Sequence, residues 1–311
     1  MPLVIDSPAR EVLPNSTEVK KLLPHVENRW GSILFISLIT MSTLAFCPIY
    51  LWQYGLTKAE FAFFAFYTLS SSFSITLGYH RLFAHAAFKA AWPIRLFVLI
   101  FGGAAFEQSA MRWSSLHRRH HSYTDTDLDP YNIKRGFFYA HVGWILFEKA
   151  AVDYSNVRDL AKDPVVLHQH RHFKLWSHLS GLVVPLLAGA CIGGWTYAIL
   201  FPVASRIFLV LNSAFFINSF AHSFGDRPID PSSSARDHWL GVVLTNGEGY
   251  HNFHHRFPSD YRNGICWYHW DPTKWLIWLF SHVGLTSELK RTPAKTILRL
   301  NSTGQRLLHP G

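Results

Sequence analysis

The chain has 311 residues, 49% hydrophobic, 16% aromatic and only 16% charged, where about 25% charged is usual for soluble domains; the shortfall points to a membrane protein. The formal net charge is +9. With no nucleic-acid motif beside it, the basic balance implies an anionic membrane face or an acidic protein partner, and no nucleic acid. Cys47, Cys191 and Cys266 are scattered and support neither a disulfide framework nor a thiolate metal site.

Residues 1–30 are polar, with prolines at 2, 8, 14 and 24 and no signal-peptide pattern, and are expected to form a cytosolic tail with a short surface helix. Residues 31–52 carry no charge, enough to cross a hydrocarbon core of about 30 Å. A short link leads to a second span, 59–79, uncharged from Phe61 onward, and His80 stands at its exit. The apolar segment 92–105 is interrupted by Arg95 and is short for a span, so an interfacial or re-entrant helix is expected. A long polar stretch follows. Residues 173–194 and 195–220 then form third and fourth spans joined almost without a loop. Arg206 within the fourth is expected to face protein or a cavity, or to snorkel. Asp271-Pro272 starts a further helix, with an aspartate cap and proline in the first turn. Its aromatic, amphipathic body is expected at the interface, and a basic tail, 287–311, ends the chain.

Three histidine runs stand out: His80 to His85 as H-x4-H, then His117, His120 and His121, and His251, His254 and His255, both as H-x-x-H-H. On a helix, positions i, i+3 and i+4 share a face, so each of the latter runs is expected to aim three imidazoles at one point. His80 and His85 lie about 140° apart on an ideal helix and converge only if the helix ends or bends. Imidazole suits iron, copper, zinc and nickel. Eight histidines exceed one four-coordinate zinc and suit two metals with room for water or oxygen. Two hairpins of two spans place all three runs and His222 on one side of the membrane. Of 29 Lys and Arg, only Lys58 and Arg206 lie off that side, which makes it cytosolic. Transporter sites sit near the bilayer midplane, and the zinc-protease pattern H-E-x-x-H is absent. Oxygen activation by iron is the chemistry left.

These motifs, with Gly136-Phe137-Phe138, His141-Val142-Gly143-Trp144, Asn218-Ser219-x-x-His222 and Glu248-Gly249-Tyr250, resemble the membrane-bound histidine-box fatty acid desaturases, of the stearoyl-type Δ9 class. The resemblance covers about residues 30–285. It implies an all-α integral membrane protein: four transmembrane helices in two hairpins, with a cytosolic helical cap holding a di-iron site, in a desaturase domain of residues 31–286. It implies nine ligands to two Fe2+ ions, His80, His85, His117, His120, His121, His222, His251, His254 and His255, and a metal-bound water on Asn218. The cluster His168, His170 and His172 matches no ligand. Asp125, Asp129 and Glu248 are candidate acceptors for the ligands' outer N–H groups.

The implied reaction is O2-dependent removal of two hydrogens from a long fatty acyl chain at or near Δ9. A separate electron donor such as ferredoxin or cytochrome b5 would dock on the basic face, and both termini would be cytosolic, in a bacterial inner membrane. Substrate-contacting candidates are Trp113, Glu107 and Phe215 at the bend of an acyl tunnel. Positions about 18–24 Å before His80 along the second span, where the resembled family limits chain length, are Phe64 and Thr68. An Arg-Asp pair that contacts CoA in the animal pattern is here Ser115-Leu116, and a Thr-Trp pair is Ala214-Phe215. The carrier is therefore open between CoA, acyl-carrier protein and a membrane lipid. A histidine-box hydroxylase or acetylenase would share the ligands. A non-catalytic metal-binding membrane protein and a zinc hydrolase are the other classes.

Overall fold

The structure is a computed structural model that describes residues 30–147 and 152–301. The helix expected in the N-terminal tail, and the end of the basic C-terminal tail, lie outside these residues. Helices dominate. α1 (Trp30–Gln53), α2 (Lys58–Ala84) and the run α5 (Phe173–His222) are long and apolar enough to cross a membrane. Between them lie α3 (Trp92–Ala104) and α4 (Ala110–Tyr123), and after them α6 (His251–Arg256) and α7 (Pro272–His282). A two-residue strand pair, Lys89–Ala90 with Thr286–Ser287, ties the α2–α3 link to the stretch after α7.

Local chemistry sets the starts of these helices. A reciprocal capping box opens α2: Thr57 Oγ1 accepts from the Glu60 amide, and the Glu60 carboxylate accepts from the Thr57 amide at 2.7 Å. Ser109 caps α4 and Asp271 caps α7, as the Asp-Pro pair implied. Arg95, the charge that interrupts α3, pairs with Asp163.

Two expected boundaries change. The second span was expected to end at residue 79, with His80 at its exit. Instead α2 runs on to Ala84, and its last eleven residues, Ser74–Ala84, form wide π turns. The third and fourth expected spans form one helical run of 50 residues, which drawn straight would measure about 75 Å. It is not straight. Gly194 has φ +79°, a conformation glycine adopts without a Cβ clash, and the chain doubles back there. Arg206 Nη2 accordingly reaches the Gly181 carbonyl at 2.6 Å, and a side chain on Gly189 would meet Pro202 and Ala198.

Large apolar side chains stay exposed along the outer faces of these helices, Leu34, Phe61, Leu69, Leu187 and Ile199 among them. That much exposed apolar surface is a membrane signature. The inner faces pack a core of Ile75, Leu77, Tyr79, Val98 and Leu99 beneath the histidine runs.

Candidate metal centre

The nine histidines named as ligands converge as two groups. His80, His85, His117, His121 and His254 form the first, and His120, His222, His251 and His255 the second; within each group the ligand atoms lie within 4.8 Å of one another. The expectation that each H-x-x-H-H run aims at one point is corrected. The i and i+4 members share a group, and the i+3 member serves the other. Adjacent positions diverge by about 100° around a helix, so the two histidines ending each run face different ways.

The first run solves its geometry by widening the helix. The His85 amide bonds to the His80 carbonyl at 3.1 Å, an i→i+5 bond of the π type, which sets residue i+5 over residue i. The two rings stand 4.8 Å apart. The helix ends there, with Ala86 at φ +47°. Termination and widening act together where an end or a bend alone was expected.

The rings present Nε2 to one another. His80 to His254 and His85 to His117 are each 2.9 Å, and His121 lies 3.1 Å from His117 and 3.0 Å from His254. In the second group His251 lies 3.0 Å from both His222 and His255, and His120 lies 3.3 Å from His255. Burial holds His85, His117, His121, His254 and His255 well below the ordinary imidazole range, and neighbouring imidazoles add to it. Neutral imidazoles with converging lone pairs are the protonation state a metal takes, so the donor set fits two cations bound through nitrogen.

Outer contacts differ between the groups. His80 Nδ1 lies 2.8 Å from Glu248 Oε2, off the line of a hydrogen bond. Glu248 is fully buried, which by itself raises its carboxyl, but Arg81 and His80 hold it down to about 2. Arg81 donates to Glu248 Oε1 from Nε and Nη2, and to Asp271 and the Tyr261 carbonyl from Nη1; Asn263 donates to Glu248 Oε2 at 2.6 Å. In the second group His120 Nδ1 pairs with Asp129 Oδ1 at 2.8 Å, and His222 Nδ1 with Ser234 Oγ at 2.6 Å. Asp125 touches no histidine of the groups, which corrects its expected place. Its Oδ2 accepts from the Ser234 amide, so it holds the loop that holds His222.

Beside the first group opens a cavity of about 790 Å³. His80, His117, Trp113, Glu107, Phe215 and Asn218 line it, with Ile75, Leu182 and Leu211 further into the helices. Trp113 stacks on His117 at 4.7 Å and donates to Glu107 Oε2. Phe64 and Thr68 do not line this cavity, a correction to the expected tunnel end. Phe64 instead packs edge-on against Phe201, 5.8 Å between centroids, in a cluster with Tyr197 and Leu200. Ser115 is buried and donates to the Asp153 carbonyl, while Leu116 lines the cavity. His170 bonds Ser109 and lies in neither group.

Arg81, Asp271, Ser234 and Asn263 were missed in the sequence. Arg81 was findable, as a charge between two histidines at the end of an uncharged stretch. Asp271 was read for its capping role alone.

Apolar helices able to span a bilayer, carrying two imidazole groups fit for metal, define a membrane protein of the metal-dependent histidine-box class. Comparison with known proteins makes the class specific: residues 59–282 match the model of the fatty acid desaturase family, and the chain belongs to that family. It is similar to Acyl-CoA desaturase 1 of Saccharomyces cerevisiae (40% identical over 280 residues, 86% of this chain and 54% of the relative) and to a probable acyl-CoA desaturase of Schizosaccharomyces pombe (40%, 96% and 63%). It is also similar to the human stearoyl-CoA desaturase (34%, 90% and 80%). The chain thus spans little more than half of the first relative and under two thirds of the second.

Proposed function

We propose that the protein desaturates long-chain fatty acyl groups at or near Δ9, using O2 and two iron ions. The observation that carries the reading is two groups of five and four converging imidazoles, with His80 and His117 of the first lining a cavity that continues past Ile75, Leu182 and Leu211. Bound iron would supply oxygen activation and removal of two hydrogens; O2 and those hydrogens, with two electrons and two protons from outside, balance as two waters. The chain's own residues do the positioning. His80, His85, His117, His121 and His254 would hold one ion, and His120, His222, His251 and His255 the other, and Asn218, which lines the cavity, would hold a water. The cavity wall of Ile75, Leu211, Phe215 and Trp113 would exclude bulk water and fix which carbon pair meets the metals.

The names of the relatives favour an acyl-CoA substrate. Ser115, turned inward to a backbone carbonyl, is unsuited to a headgroup contact. Arg112 of α4 and Lys174 at the start of α5 line the cavity and offer cations instead. Electrons would come from a separate ferredoxin or cytochrome b5.

The membrane reading is four crossings in two hairpins, turned between α1 and α2 and at Gly194, with the histidine side cytosolic. Trp52, Tyr54 and Trp195, exposed near the two turns, suit one interface, and the exposed Trp267 and Trp270 suit the other. The desaturase unit would be residues 31–286. Expression in a desaturase-deficient host, with mass spectrometry that locates double bonds, tests the function. Absence of new unsaturated acyl chains from a well-expressed protein rejects it.

A further inference from the structure

A second cavity, of about 210 Å³, lies against α6 and is lined by none of the nine histidines. One wall is a row of bridge partners. Asp226 pairs antiparallel with Asp237, Asp237 pairs in turn with Tyr250, and all three line the cavity. Asp226 and Asp237 exchange both backbone hydrogen bonds, at 3.0 and 2.8 Å. Residues paired in that way stand about 5.5 Å apart at Cα with their side chains on one face, and like charges set directly opposite are destabilising. Among the described residues neither carboxylate has a lysine or arginine partner. The adjacent arginines turn to carbonyls instead, Arg227 to Pro231 and Arg236 to Gly225. Burial, more than the Asp226 charge beside it, pushes the Asp237 carboxyl up to about 7.

A second observation is independent of this pair. Asn263 is 1% exposed and lines the same cavity. Its Nδ2 donates to Glu248 Oε2 at 2.6 Å, and an ionised carboxylate only accepts, which fixes the orientation of the amide. Its Oδ1 is buried without a partner. A buried acceptor left unpaired costs free energy until a donor reaches it. The cavity thus gathers two carboxylates and an amide oxygen around one space.

The rest of the wall says which cation suits it. Ile229, Phe253 and Ile265 present carbon, and the rings of Tyr250 and His269 stack at 5.1 Å and 15°. Calcium takes about 6–8 oxygens, and a wall so rich in carbon and rings does not offer them. A primary ammonium has three N–H donors and no acceptor, one donor for each of Asp226, Asp237 and Asn263. Its hydrocarbon stem suits the apolar side. The volume is several times the roughly 30 Å³ that a water occupies, which leaves room for a short stem.

We propose that this cavity binds the primary ammonium group of a small amine, either free or carried as the headgroup of a membrane lipid. The ammonium sits between Asp226 and Asp237, cancels their repulsion and donates to Asn263 Oδ1. Its occupant also bears on α6. Tyr250 precedes the first residue of that helix, Phe253 lies between His251 and His254, and Asp237 Oδ1 accepts from the Asn252 amide at 2.8 Å. Occupancy therefore steadies the helix that gives imidazoles to both histidine groups, without touching an imidazole of either. The site stands whether or not the protein is a desaturase.

The test is calorimetry on the full-length purified protein in an amine-free buffer, with melting temperature as a second readout. Ethanolamine is expected to bind and to raise the melting temperature, as a ligand of the native state does. Tetramethylammonium has the charge but no N–H, and ethylene glycol has no charge; each is expected to bind about tenfold more weakly, or not at all. Asp226→Asn changes an exposed position and is expected to leave the fold intact. It should weaken ethanolamine binding about tenfold. With no amine present it should melt slightly above the wild type, because like charges no longer face each other. Nanodiscs of phosphatidylcholine, alone or with phosphatidylethanolamine, separate the two sources. A rise in melting temperature with phosphatidylethanolamine that Asp226→Asn loses assigns the lipid headgroup, and binding of ethanolamine without that rise assigns a free amine. Neither result overturns the proposal only if one of them is seen; the absence of both overturns it. So does calcium binding where ethanolamine does not, tetramethylammonium binding as tightly as ethanolamine, or ethanolamine binding unchanged in Asp226→Asn.

Discussion

The two histidine groups hold similar ligands in unlike settings. The first has five imidazoles, and His80 leans on Glu248, which is locked to Arg81, Asn263 and, through Arg81, to Asp271. The second has four imidazoles steadied by one carboxylate, Asp129, and one hydroxyl, Ser234. The first is built into a buried charge network that joins α2 to the segment before α7; the second hangs on loops. A ligand set can thus repeat while its support does not, and the support decides which group fails first.

Removing ligands should give the largest effect. His255→Ala cuts the second group to three imidazoles and should abolish turnover, with metal analysis reading about half the iron of the wild type. His254→Ala should also abolish turnover, because the proposed reaction needs both ions on one substrate, while its group keeps four imidazoles and more of its iron. His170→Ala should change neither. Full activity in His254→Ala would break the ligand assignment itself.

The supports should separate next. Glu248→Leu leaves Arg81 buried with one carboxylate where it had two, so a loss of about 3 kcal/mol in stability is expected. Asp129→Asn removes no counter-charge of a buried arginine. It should cost about 10–100-fold in metal affinity with a smaller change in melting temperature. Equal destabilisation by the two would erase the difference drawn here. Ser234→Ala is expected to be milder, about 1 kcal/mol for one lost hydrogen bond, and confined to the second group. Iron titration of the variant checks that confinement.

How much of this was legible beforehand follows the same division. The histidine runs stood out because imidazole spacing on a helix is a local property, while the set of nine came from the resemblance. The partition of each run into two and one could not, since it depends on which neighbours α4 and α6 face. The widened turns of α2 left no residue signature, and so the meeting of His80 with His85 stayed a condition in the sequence. Apolar stretches long enough to cross a membrane were legible because hydropathy is local, whereas the third and fourth expected spans form one helical run, turned at Gly194. Phe64 and Thr68 were placed by distance along a single helix. Distance alone takes no account of which side chains the cavity reaches, and Phe64 packs against Phe201 instead. Asp129 and Glu248 stood near the histidines in sequence, and so did Asp125, which serves the loop instead.

The smallest expected effect sharpens the comparison on the cavity side of the first group. Trp113 stacks on His117 and is held by Glu107, whose Oε1 is buried without a partner. The residues on either side, Phe106 and Gln108, have φ of +61° and +75°, so the backbone is strained to bring this side chain to the wall. Burial pushes the Glu107 carboxyl up to about 8, against the Trp113 hydrogen bond, which lowers it. Its folded value then lies above its unfolded one of 4.5. Between those values the unfolded chain has lost a proton that the folded chain keeps, and stability falls as pH rises through the window. Glu107→Gln has no proton to lose. Its melting temperature should match the wild type near pH 4.5 and exceed it by a few degrees at pH 8, with the Trp113 contact preserved because an amide oxygen also accepts. No group of the second metal site lines this wall except through the cavity, so Asp129→Asn should leave the slope intact. Parallel melting curves for wild type and Glu107→Gln from pH 4.5 to 8 would mean the carboxyl is ionised throughout, and the wall beside the first group would carry a charge after all.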